Sequence, residues 1–237
     1  MMETKWLYLI LNAFTISIPL MRSFEPKVAF SSRWPALFKA VFIVGTFFVV
    51  WDIIFTDMGI WGFNPKYLSG IELGGLPLGE YLFFITVPYA CVFIYAVLNR
   101  FWPNSSFFDR NASNINYILM SLGITLCIFY YNLQYTFWTF VFLTAFLAYV
   151  EFKLKPAWIG KMYRAYLVAL AGFFLVNGVL TGTGIEEEVV WYNELHFVGL
   201  RMVTIPVEDT FYGLLLIMMN IWLYEYFLSK SGQPKKA

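Results

Sequence analysis

Residues 78–98 read LGEYLFFITVPYACVFIYAVL, and residues 206–228 read PVEDTFYGLLLIMMNIWLYEYFL. A helix needs about 20 apolar residues to cross a hydrocarbon core of about 30 Å, and both runs meet that length. Both also carry the same device where they begin: a proline followed three residues later by an acid, Pro77 before Glu80 and Pro206 before Asp209. The composition agrees with these two runs. Of 237 residues, 60% are hydrophobic and 13% charged, with a mean hydropathy of +0.65, outside the range of ordinary soluble domains. Sixteen Lys and Arg against fifteen Asp and Glu leave a formal net charge of +1, so there is no basic footprint for nucleic acid. The medium of the chain is the lipid bilayer. Cys91 and Cys127 lie inside apolar runs and read as small buried hydrophobes, not as a disulfide or a metal framework.

Outward from these two runs, apolar stretches of similar length recur at 5–21, 36–55, 115–131, 134–150 and 165–183, giving an all-α integral membrane protein with seven transmembrane helices. The fourth and fifth are nearly continuous, and they are divided at Tyr131-Asn132-Leu133-Gln134 because the joint run is too long for one crossing. The first span lacks a basic leader and a small-residue cleavage site, so it reads as a retained helix and not as a removed signal peptide. Basic loops stay cytoplasmic, and seven crossings put thirteen of the Lys and Arg residues on one side. The other side holds three, Lys5, Lys66 and Arg201. The expectation is a multi-pass protein of the cell membrane with its N-terminus outside and its C-terminus, with Lys230, Lys235 and Lys236, in the cytoplasm.

An ungapped shift of 129 residues pairs Asn64 with Asn193, Gly70 with Gly199, Pro77 with Pro206, Glu80 with Asp209 and Tyr95 with Tyr224. The same shift lays the first three spans on the last three. The chain thus reads as a three-helix repeat over 1–98, a linker loop and unpaired fourth helix over 99–133, and a second three-helix repeat with a short tail over 134–237. The extra fourth helix restores a parallel arrangement of the two units, so that equivalent residues face the same side.

Carboxyls at the edge of hydrocarbon are costly to keep, which makes Glu80, Glu208 and Asp209 the candidate catalytic groups. Acids near a helix N-terminus also complement its dipole, and capping would account for one such place. Recurrence in both units favours chemistry: a protonated carboxyl is a general acid for an apolar substrate. Trp61, Tyr81, Phe83, Phe84, Trp191, Tyr192, Phe211 and Tyr212 are near in sequence, and aromatic faces stabilise cations. Asn64 and Asn193 each precede the repeated acid by sixteen residues, and with Glu194 they are candidate supporting or substrate-binding residues. Other readings fall away. Asp52 and Asp57 are too loosely spaced for a magnesium-diphosphate motif, and Glu186-Glu187-Glu188 reads as a hydrated loop face. A single histidine, His196, excludes a histidine-based metal cluster, no GxGxxG follows a strand, and the seventh span lacks a lysine for a retinal Schiff base.

Taken together, the proline-acid motif, the aromatic loop Trp61-Gly62-Phe63-Asn64-Pro65 and the 3+1+3 layout resemble the small integral-membrane lycopene cyclases, in the form where two heterodimer subunits are fused, found also as a domain of fungal bifunctional carotenoid enzymes. The resemblance covers nearly the whole chain. Its motif of proline, any residue, Glu, then Glu or Asp is matched by Pro206-Val207-Glu208-Asp209, whereas Pro77-Leu78-Gly79-Glu80 has Gly where the first acid belongs. An acid restored by Gly79→Glu is expected to be tolerated. The resemblance implies acid-catalysed closure of β-ionone rings on lycopene, towards γ- and β-carotene, with Glu208 and Asp209 as acid and charge partner and Glu80 as the facing carboxyl. It implies neither redox cofactor nor metal. The partners it implies are lycopene or a related acyclic carotenoid, the bilayer, and either further copies of the chain or other carotenoid-pathway enzymes. Two other classes fit the same residues: a transporter or channel built of duplicated units, marked by flux without product, and a non-catalytic carotenoid-binding protein, marked by unchanged bound pigment.

Overall fold

The computed structural model describes residues 4–104 and 106–231; Lys235 and Lys236 of the orientation argument lie outside the described residues. Seven α-helices form among them: α1 (Leu7–Arg22), α2 (Trp34–Asp57), α3 (Leu78–Phe101), α4 (Ser106–Phe129), α5 (Gln134–Tyr149), α6 (Ile159–Leu180) and α7 (Val207–Lys230). The last six are long and apolar enough to cross a membrane, α5 with the help of a π turn over Val150–Leu154. With 16 residues, or about 24 Å of rise, α1 is shorter. The break between α4 and α5 falls where Tyr131-Asn132-Leu133-Gln134 suggested. By contrast, α4 starts at Ser106 and not near 115, and α3 runs on to Phe101. Asp109, Arg110, Asn111 and Asn114 occupy the first turns of α4, and a search for apolar runs passes over such a polar helix end.

Helix α1 runs along α3 and α5 along α7, while α2 lies against α7 and α6 against α3, so the two halves of the chain interlock. Their shared core includes Phe30, Leu37, Phe48, Leu143, Met218 and Ile221, all fully buried. Helix α4 packs on α5 and α6 at the side.

Six short strands gather at one end of the bundle: β1 (Trp61–Phe63), β2 (Glu72–Leu73), β3 (Leu76–Pro77), β4 (Val190–Tyr192), β5 (Arg201–Met202) and β6 (Ile205–Pro206). Strands β2 and β3 form a hairpin that leads into α3, and β5 and β6 form one that leads into α7, each element 129 residues after its counterpart (72 and 201, 76 and 205, 78 and 207). The first hairpin turns at Gly74, with φ of 56°, which glycine adopts without strain; Val203 takes the same place in the second at 61°. Strands β1 and β4 pair with each other, antiparallel, with Gly62 opposite Trp191 at the centre and the Asn64 and Asn193 amides continuing the ladder to the Val189 and Ile60 carbonyls, both at 2.9 Å. Because 62 and 191 are themselves 129 apart, this ribbon relates the two halves by a local two-fold.

Gly79 lies where α1 crosses the start of α3. A Cβ there would stand 2.6 Å from ring carbons of Tyr8, and the Gly79 carbonyl accepts the Asn12 amide at 2.9 Å. The absence of an acid at 79 is thus a packing requirement, and the expectation that Gly79→Glu is tolerated is overturned. Overpacking of this kind costs about 1–3 kcal/mol. Gly79→Ala should lower the thermal midpoint of the detergent-solubilised protein, and Gly79→Glu should lower it further, read by loss of helical circular dichroism on heating.

Candidate active site

Pro77 and Pro206 each end a hairpin strand in extended geometry (φ −69°, ψ 150° and φ −54°, ψ 138°) and serve as N-caps of α3 and α7. They stand one residue before the first helical turn. Glu80 and Asp209 are therefore the third helical residues, and both are buried, at 8% and 5% exposure. Their hydrogen bonds run to neighbouring elements, which is more than dipole compensation requires.

Glu80 accepts the Tyr8 hydroxyl through Oε2. The carboxyl of Asp52, from the last turns of α2, faces the same cavity as Glu80. Two carboxyls on one small cavity repel when both are ionised, which favours a proton on one of them. Asp52 in turn accepts the Trp61 indole N–H from β1 at 2.5 Å.

Asp209 has three neutral donors. Tyr135 donates to Oδ1 at 2.5 Å; Asn177 and Tyr192 donate to Oδ2 at 2.7 and 3.0 Å. Desolvation and, next, the Asp209 carboxyl beside it raise the Tyr192 phenol well above its usual value, so it remains a donor. The partners that come from helices correspond position by position. Tyr8 and Tyr135 are the second residues of α1 and α5, and Asp52 and Asn177 are equally far from the starts of α2 and α6. The first acid thus has an acid as its neighbour where the second has an amide.

Glu80, Asp52 and Asp209 line one cavity of 80 Å³ beneath the β1–β4 ribbon. Its walls include Trp61, Tyr135, Tyr192 and Tyr212. Tyr135 and Tyr192 stack at 5.7 Å between centroids, and Trp61 meets Tyr135 edge-on at 5.1 Å. This is room for the tip of a hydrocarbon chain, held between carboxyls and ring faces.

Of the residues singled out in the sequence, Glu80 and Asp209 come together here with Trp61, Phe83, Tyr192 and Tyr212. Glu208 is fully buried but does not line the cavity; its Oε1 accepts Thr136 Oγ1 at 2.6 Å and the Val198 amide at 3.0 Å, tying α7 to α5 and to the loop before β5. Asn64 donates to Glu187 at 2.7 Å and accepts the Lys66 amide. Asn193 donates to the Gly59 carbonyl at 3.2 Å. Both hold the ends of the ribbon and neither lines the cavity. Glu194 is exposed and pairs with Arg201 at 2.7 Å. Sequence reasoning missed Tyr8, Tyr135, Asn177 and the role of Asp52. A signal existed: each is a polar residue inside an apolar run, but the tyrosines are 127 and the Asp52–Asn177 pair 125 residues apart, so an ungapped shift of 129 cannot align them.

Set against known proteins, residues 5–98 and 132–227 match the sequence model of a family described as lycopene cyclase. No curated protein and no solved structure gives a significant match. The two matched stretches take in both acids, every donor described around them and both strands of the ribbon. They span most of the chain, and the protein belongs to the lycopene cyclase family.

Proposed function

We propose that the protein closes β-rings on the ends of lycopene by acid catalysis, with Glu80 as the proton donor and Asp209 as the counter-charge and base. The observation that carries this reading is the unlike partnering of two carboxyls on one aromatic-walled cavity. Glu80 has a second carboxyl, Asp52, on the same cavity, which favours a proton on the pair, whereas Asp209 meets three neutral donors, a match for a carboxylate. Glu80 transfers H⁺ to C2 of the terminal C1=C2 bond, leaving a tertiary cation at C1. The C5=C6 bond then attacks, forming C1–C6 and moving the cation to C5. Loss of the C6 proton towards Asp209 gives the C5=C6 bond of a β-ring. Atoms and electrons balance as an isomerisation. Trp61, Tyr135, Tyr192 and Tyr212 supply ring faces, and a cation over a desolvated ring gains about 2 kcal/mol. Glu208 acts through packing, holding Thr136 and with it the start of α5, next to Tyr135. Asn64, Asn193 and Glu194 support the ribbon and its loops.

The same reading takes the chain as two three-helix units, 1–98 and 134–237, joined by 99–133, in the cell membrane with α1 as a crossing helix, the acid cavity at the outer edge and the C-terminus in the cytoplasm. Lys66 and Arg201 are basic residues at the cavity end, while Arg22, Lys27, Arg33, Arg100, Lys153 and Lys230 stand at or beyond the opposite ends of their helices.

Expressed in cells that accumulate lycopene, the chain should turn the red pigment orange. Glu80→Gln and Asp209→Asn should each lower conversion about 10²- to 10⁴-fold at unchanged abundance, the range for loss of a general acid or base. Glu208→Gln should cost less activity and more thermal stability. Normal conversion by the first two would sink the assignment. In D₂O each new ring should carry one deuterium at C2, read by mass spectrometry and NMR, without added flavin, nicotinamide or divalent metal. Rings formed without deuterium would reject a solvent-exchanging acid.

A further inference from the structure

Next to the acid cavity lies a larger one of 290 Å³, between α1, α3, α6 and α7. Its walls are almost wholly hydrocarbon, among them Phe14, Thr15, Ile18, Ala90 and Gly172. The two cavities share Phe83, Val87, Phe173, Asn177 and Gly213, so they adjoin with these side chains at their common wall. At its outer rim Phe14, Ile18 and Leu175 are 60%, 61% and 66% exposed on the apolar flank of the bundle.

The matching gap on the other side, between α5 and α2, is closed. Counted from the helix starts, Thr15 of α1 corresponds to Phe142 of α5, and Gly172 of α6 corresponds to Phe47 of α2. Phe47 and Phe142 meet edge-to-face at 5.4 Å, and Trp51 adds a contact to Phe142 at 4.9 Å where the open side has Val176. On the open side the rings are missing, and a Cβ added to Gly172 would meet nothing within 4 Å. A hydroxyl and a hydrogen thus stand where two phenyl rings fill the pseudo-equivalent gap.

We infer that the gap between α1 and α6 is a lateral portal and binding groove, through which one acyclic polyene arm at a time passes from the bilayer to the acids. The inference rests on the reading of the protein as a cyclase of such polyenes. A long apolar chain dissolved in lipid reaches this groove without meeting water, since the rim is apolar and opens sideways. Its tip then meets the carboxyls through the shared residues while the other arm stays in the membrane. The closed side admits no second arm, so a product with two rings requires the one-ring intermediate to leave and re-enter by its other end.

The test uses the full chain in lipid nanodiscs loaded with lycopene, comparing wild type with Gly172→Phe, Thr15→Phe and, as a lipid-facing substitution on the same helix, Val168→Phe. Val168 is 49% exposed and outside both cavities. Gly172→Phe and Thr15→Phe should each lower conversion at least tenfold, chiefly by raising the apparent KM for lycopene, and Val168→Phe should stay within twofold of wild type. The two portal variants approach from opposite walls, so poor folding of one leaves the other to decide. Wild-type kinetics in a folded portal variant would overturn the inference while leaving the cyclase reading standing. A wild type that converts no lycopene would instead overturn the cyclase reading, and with it the portal. An equal loss in Val168→Phe would also overturn the portal, by showing a general effect of bulk on α6.

Discussion

A carboxyl group set among hydrocarbon has to find its hydrogen-bond donors within the protein, because lipid offers none. Much of this structure follows from that requirement applied twice. Glu80 and Asp209 stand at the starts of α3 and α7, and around each a tyrosine and a shorter polar side chain come from two further helices. Helix α1 therefore begins where Tyr8 can reach Glu80, and α5 where Tyr135 can reach Asp209. The final turns of α2 and α6 carry Asp52 and Asn177 to the same level. The ribbon roofs this arrangement and adds Trp61 and Tyr192 from above.

Near-symmetry with a few exchanged side chains makes the two acids different. An aspartate on α2 gives Glu80 a second carboxyl on the same cavity, and an asparagine at the matching place on α6 gives Asp209 a donor. Glycine at 79 lets the Tyr8 ring lie against the backbone of α3, while Glu208, its counterpart, turns away to Thr136 and Val198. Phe47 and Phe142 close one flank, and Gly172 and Thr15 leave the other open. Matching helix positions thus carry unlike side chains in the two halves.

The helical class of the fold was plain from the apolar runs, and the proline-acid motif pointed to two of the three cavity carboxyls without any structure. What stayed hidden has a definite cause. Inter-element loops differ in length between the halves, so the register slips from 129 to 127 and 125 as the comparison moves from the third helices to the first and second. A motif confined to one element survives such slips, but a constellation drawn from three helices does not. Asp52 shows a second limit: read in one dimension it paired with Asp57, yet Asp57 is exposed at the end of α2 while Asp52 points inward to the cavity. The asparagines 64 and 193 hold matching places in the ribbon and bond its backbone and turns. Identity at a fixed offset reports common structure as readily as common chemistry.

Each acid takes its partners from its own half of the chain: Tyr8 and Asp52 precede Glu80, and Tyr135, Asn177 and Tyr192 precede Asp209. A ribosome delivering this protein to the membrane emits every partner before the carboxyl that needs it. When Glu80 enters the lipid its tyrosine and aspartate are already there, and the same holds later for Asp209. No stage of synthesis has to leave either acid bare while awaiting the other half. What is left for the two halves is the closing of β1 on β4 and of α2 on α7, which joins two already hydrogen-bonded half-sites into one chamber. The costly polar groups are thus settled during insertion, and assembly of the halves is left to apolar packing and a few backbone hydrogen bonds.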